Sequence, residues 1–163
     1  MTPTPVVDVC VSNLIQNWSF ELPVVSGQNI QYWTEKPYEG SVVQGTGYQA
    51  EGKYTAFIGP SESLYQDVSV SVGQTYSLTF WSGTHDPIQN ETIQLQFLNT
   101  AGTVIAAQTT NIDYDVDLHP NFPRLTRYTM QWVAPSGTVK ARVRGQNDGN
   151  NTFKLDAVCL KGL

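Results

Sequence analysis

Trp81 lies in a run, residues 75–82, that alternates cleanly. Tyr76, Leu78 and Phe80 share one face, and Thr75, Ser77, Thr79 and Trp81 share the other. The same alternation sets Gln94 and Gln96 against Ile93, Leu95 and Phe97, and Gln131 against Tyr128, Met130 and Trp132. Arg142 and Arg144 likewise oppose Val139, Ala141 and Val143. If these strands turn their polar faces to one side, an indole is ringed by amides and guanidinium groups. Such a set suits a sugar: the ring face takes the apolar C–H surface of a pyranose, and the polar groups take its hydroxyls. Trp18, Trp33, Tyr38, Tyr48 and Tyr114 fall on turn-rich stretches and offer a second, loop-tip site, with Trp33 and Tyr38 counted among the ligand-binding candidates. The competing role for each aromatic is packing beneath a loop.

Among the carboxylates, Glu21 and Asp156 each stand beside apolar residues in a short run of strand type, one near each end of the chain. A hard cation such as calcium takes several oxygen ligands and mixes carboxylates with main-chain carbonyls, so these two are the candidate metal ligands. The alternative is two solvated carboxylates at strand ends. Asp113, Asp115 and Asp117 imitate the start of a helix-loop-helix calcium loop, but Leu118 stands where glycine is needed and Arg124 where the bidentate glutamate belongs. That motif is absent, which leaves a loop-type ion or sugar site or a plain solvated loop. The two histidines, His85 and His119, lie on Pro-containing loops, and no serine elbow, zinc signature or phosphate loop occurs. We expect a protein that is not an enzyme.

Positioning these residues requires strands. Residues 13–21 and 154–160 read as first and last strands, with the two cysteines, Cys10 and Cys159, at their outer edges. We expect the two strands to be neighbours and the cysteines to be bonded, which needs Cα atoms within roughly 7 Å; the alternative is a pair of unpaired buried thiols. Further extended runs fall at 30–34, 53–58, 63–72, 92–99, 127–133 and 139–145. Period-two alternation with turn signals about every 8–12 residues indicates an all-β antiparallel β-sandwich. No helix pattern, internal repeat or second domain is visible.

Composition narrows the partners. Nine Lys and Arg against fourteen Asp and Glu give a net charge of -5 with only 14% charged residues, so the basic surface that phosphate binding needs is missing and nucleic acid is excluded as an expected partner. Thr, Ser, Asn and Gln supply the remaining polarity, as in extracellular β-proteins. No apolar run approaches the roughly 18 residues of a membrane span, so membrane insertion is not expected. Residues 1–9 read as a Thr-Pro linker remnant and 10–163 as one module, monomeric and tethered to other domains of a longer secreted or cell-surface protein.

The motifs Asn-Leu-Ile-x-Asn-x-Ser-Phe-Glu at 13–21, Gly-Lys-Tyr-Thr at 52–55, Gly-Gln-Thr-Tyr-Ser-Leu-Thr-Phe at 73–80, Ala-Pro-Ser-Gly at 134–137 and Leu-Asp-x-Val-x-Leu at 155–160 occur in one order over one domain length. Together they resemble the galactose-binding-like jelly-roll carbohydrate-binding modules, similar to the xylan- and glucan-binding modules of bacterial glycoside hydrolases. The resemblance implies jelly-roll topology and non-catalytic binding of a polysaccharide or oligosaccharide. It also implies a structural calcium ion held by Glu21, Asp156 and a main-chain carbonyl at or near Lys53. Trp18 departs from the pattern, which has a small residue or proline there. The rival function is a structural or adhesive surface-protein domain of the same fold without a sugar site.

Overall fold

The computed structural model describes residues 10–22, 30–37, 42–44, 49–84, 90–112 and 125–163. Among the described residues ten strands run in chain order: β1 (Thr34–Lys36), β2 (Val42–Gln44), β3 (Tyr54–Ile58), β4 (Ser63–Ser69), β5 (Thr75–Thr84), β6 (Glu91–Leu98), β7 (Val104–Asn111), β8 (Thr126–Val133), β9 (Lys140–Asn147) and β10 (Phe153–Gly162). They form two antiparallel five-stranded sheets. The front sheet has the order β1-β4-β9-β6-β7, and the back sheet β2-β3-β10-β5-β8. The architecture is the β-sandwich jelly roll that the motifs imply, and no helix occurs among the described residues.

Alternation builds the core. Leu64, Ile93, Leu95, Phe97, Ala141 and Val143 face inward from the front sheet, against Ala56, Leu78, Phe80, Met130, Leu155 and Leu160 from the back. Burying each large apolar side chain contributes about 1.5–3 kcal/mol, and the aromatic pairs Phe80–Tyr128 and Phe97–Trp132, at 5.2 and 6.0 Å between centroids, add specific geometry. Gly145 keeps the sheets close: a Cβ there would stand 2.5 Å from Ile58 Cδ1. Val139 departs from the sequence reading. It precedes β9, donates its N–H to Leu98 O and is 39% exposed.

The first segment is also not the expected strand. Residues 13–21 run beside β10, yet they form no strand: 16–19 are a turn, and Asn17 and Phe20 take positive φ. Asn13 explains the difference, because its side chain bonds the backbone in place of a ladder. Its Nδ2 donates to Val158 O at 2.9 Å, and its Oδ1 accepts from Ile15 N and Leu160 N at 3.0 Å each. A bulge in β10 between Asp156 and Cys159, with Ala157 at φ 48°, aims Val158 N at Trp18 O. Cys10 and Cys159 are bonded, with Cα atoms 5.9 Å apart.

Candidate functional site

The outer face of the front sheet is polar from strand to strand. On its central strand β9, Arg142 and Arg144 project outward opposite the buried Ala141 and Val143. Register sets Arg142 between Asp67 of β4 and Gln96 of β6, and Arg144 between Tyr65 and Gln94. Arg142 donates from Nε and Nη2 to the two carboxylate oxygens of Asp67 at 2.6 and 2.9 Å, and its guanidinium carbon lies 4.2 Å from the Tyr65 ring centroid. The hydrogen bond to Asp67 raises the Arg142 pKa against the opposing effect of burial. Arg144 donates from Nη2 to Gln146 Oε1 at 2.5 Å, and Gln96 Nε2 donates to Gln94 Oε1 at 2.6 Å. Gln96 Oε1 and Arg144 Nε are buried without a hydrogen-bond partner among the described residues.

Four of the expected ligand residues, Gln94, Gln96, Arg142 and Arg144, therefore share one surface, but Trp81 does not join them. Trp81 does oppose Phe80 as its alternation requires, yet β5 belongs to the back sheet, so the indole lies on the other side of the sandwich. There it is half-buried in a small cluster with Trp18, Ala50, Leu125 and Ala157. Gln131 is on the back sheet too, exposed and paired with Ser77, four positions along β8 from the Arg127 that faces Trp81. Trp33 is a correction of a different kind: it is 2% exposed, 5.2 Å from Phe20, and donates Nε1–H to Asn17 O. A ring so enclosed has no face for a ligand. Tyr38, Tyr48, Tyr114, both histidines and the three alternate aspartates lie outside the described residues.

Tyr65, Asp67 and Gln146 also stand on the front face and are absent from the sequence-derived set. The signal was obscured at Gln66, which points inward, 6% exposed, and exchanges bonds with the Gln16 backbone. An inward glutamine breaks the apolar stripe that would have revealed Tyr65 and Asp67 as outward.

Glu21 and Asp156 converge on one loop. Glu21 Oε1 accepts from Lys53 N and Tyr54 N at 2.7 and 2.8 Å, while Asp156 Oδ2 accepts from Ala50 N and Glu51 N at 2.6 and 3.0 Å and Oδ1 from Ala157 N at 2.7 Å. Gly52 between them is held at φ 65°, and a Cβ there would lie 2.3 Å from the Glu21 carboxyl. Asp156 is fully buried, and desolvation pushes its pKa up to about 8 despite the three N–H donors. Among the described residues no group of three or more His, Cys, Asp or Glu side chains could hold a metal. An ion here would need main-chain oxygens beside the two carboxylates. Oxygen ligands of that kind are what a hard cation takes.

No family model and no curated protein matches the chain. Solved structures do. A family 16 carbohydrate-binding module is similar at TM-score 0.66 and 17% identity over 91% of this chain and 99% of that one. TmCBM61, in complex with beta-1,4-galactotriose, is similar at TM-score 0.60 and 15% identity over 94% and 100%. The enzymatically active domain of tailspike protein 4 of bacteriophage CBA120 is similar at TM-score 0.64 and 16% identity, over 93% of this chain and 21% of that one. This chain thus spans about a fifth of the tailspike domain and nearly all of the two modules. Its fold is the jelly roll of carbohydrate-binding modules.

Proposed function

We propose that this chain binds a polysaccharide or oligosaccharide through the outer face of its front sheet, as a non-catalytic, monomeric module tethered within an extracellular, secreted or cell-surface protein. The observation that carries the reading is the packed polar surface of β4, β9 and β6, where Arg142 braces Tyr65 and Asp67 while Gln94, Gln96, Arg144 and Gln146 stand around them. A guanidinium covers one face of a ring and leaves the second to a pyranose, and the surrounding amides supply donors and acceptors for its hydroxyls. The likeness to a module solved with a bound galactotriose supports the same class of ligand. The disulfide supports an oxidising compartment. Calcium, held by Glu21, Asp156 and main-chain oxygens near Lys53, staples the first and last segments to the loop before β3, remote from the sugar face. Affinity electrophoresis through gels containing soluble polysaccharides tests the reading. Retardation of the wild type that Tyr65→Ala removes without loss of fold is expected, and free migration of the wild type through every neutral and acidic gel would overturn it.

A further inference from the structure

The same face carries an imbalance of charge that names the class of glycan, and this inference rests on the sugar-binding reading. Among the described strand residues, Lys36, Lys140, Arg142 and Arg144 project from the front sheet's outer face, four of the nine cationic side chains of the protein. Among the described residues Asp67 is the one carboxylate that projects from a strand of this face, with Asp148 just past the end of β9 on its Gln146, in a protein whose net charge is -5. Three of the four cations occupy successive outward positions on β9, the centre of the sheet.

Arg142 and Arg144 differ in what faces them. The charge of Arg142 is cancelled by both oxygens of Asp67. Arg144 has a neutral partner: Nη2 donates to Gln146 Oε1, and Nε, shielded from water, meets no acceptor among the described residues. Gln146 is held in turn, since its Nε2 donates to Asp148 Oδ1 at 2.6 Å, which keeps the amide oxygen turned toward Arg144. The guanidinium is thereby oriented by an amide, and among the described residues no carboxylate bonds it directly. It lies beside Tyr65 and about 7 Å along the strand from Arg142. We propose that the ligand of this face is an acidic glycan, a chain bearing uronic-acid carboxylates, and that Arg144 receives the carboxylate. A planar guanidinium matches a carboxylate, and a charge-assisted bond in a partly dry site is about twice as strong as a neutral one.

The test is affinity electrophoresis of the whole chain in polygalacturonate, glucuronoxylan and alginate, each beside the same polymer with its carboxyl groups reduced to alcohols, and in dextran sulfate. We expect at least one acidic polymer to retard the wild type about tenfold more strongly than its reduced form. Arg144→Gln should lower that acid-to-neutral ratio by roughly tenfold to a hundredfold, and Lys161→Gln, which removes the same charge from the back sheet, should not move it. Because the comparison of each polymer with its reduced form uses only wild-type protein, it decides the matter even where Arg144→Gln fails to fold. Equal retention by both forms of every polymer would overturn the acidic assignment and leave the sugar-binding reading standing. Retention by dextran sulfate as strong as by the acidic polymers, with Arg144→Gln and Lys161→Gln equally affected, would reduce the effect to bulk charge and overturn it as well. No retention by any polymer would remove both readings.

Discussion

Arg142 lies over the ring of Tyr65, 4.2 Å from its centroid, while its forked nitrogens hold both oxygens of Asp67. One side chain of β9 thus fixes two outward residues of β4, which preorganises the proposed sugar face. Arg142→Ala should free both, weakening polysaccharide retention by about tenfold or more. Arg142→Lys should not restore it, because an ammonium cannot fork onto a carboxylate and lie flat on a ring at once. Affinity electrophoresis of both variants checks this, and full rescue by lysine would show that the planar geometry is not used.

Phe80 and Trp81 are adjacent in β5 and point to opposite sides of the back sheet. Phe80→Ala should cost about 3–5 kcal/mol in urea unfolding, since it opens the core beside Tyr128. Trp81→Ala removes only a half-buried ring from the cluster with Trp18 and Leu125, and should cost less. Retention on polysaccharide should be unchanged in Trp81→Ala, because the proposed binding face is on the other sheet. A folded Trp81→Ala protein that no longer binds would move the site to the back sheet.

That contrast marks how far the sequence can be read. Alternation reveals which side of a strand Trp81, Gln94 or Arg142 takes, and it is right in each case. It says nothing about which sheet the strand joins, so Trp81 and Gln94 look like partners when the whole sandwich separates them. Strand β7 is hard to see for another reason. At the sheet edge its inward residues are Ala106, Gln108 and Thr110, while Val104 and Ile105 are exposed, so no apolar stripe forms. Residues 13–21 show the opposite failure. Their pattern is strand-like, but the short amides of Asn13 and Asn17 capture the backbone and turn it. Trp33 reads as a loop aromatic because the burial that decides its role comes from Phe20, thirteen residues away in the chain.

The seam between the first segment and β10 is held by one covalent link, the side chain of Asn13 and the backbone bonds Leu14 N to Leu160 O and Val158 N to Trp18 O. Reducing the Cys10–Cys159 bond should cost roughly 2–5 kcal/mol, because it closes a loop across 149 positions. Asn13→Ala should cost about 1–3 kcal/mol with the disulfide intact, since it strands Leu160 N–H and Val158 C=O in a partly buried place. Denaturant midpoints with and without reductant measure both. A reductant-insensitive midpoint in the wild type would show that the seam holds without the bond.

Asp156 supplies the last test, of the metal. Desolvation by burial lifts its pKa to about 8 from 3.8, Glu51 adds to the rise, and the bonds from Glu51 N, Ala50 N and Ala157 N oppose it. In chelator the folded state therefore holds the proton more tightly than the unfolded chain does. The stability this group contributes is fully present below about pH 4 and is lost as the pH rises through about 8. The Tm in chelator should fall across that window, and more steeply than in Asp156→Asn, which has no carboxyl to titrate; the slopes are compared because the amide changes the absolute stability. Calcium takes the carboxylate and not the acid, so its stabilisation should be small near pH 5 and grow toward pH 8. There a hundredfold excess over Kd is worth about 2.7 kcal/mol. Glu21→Gln and Asp156→Asn should each blunt that response. A wild-type Tm at pH 8 that is the same in calcium and in chelator would remove the ion from this seam and leave Glu21 and Asp156 as loop anchors alone.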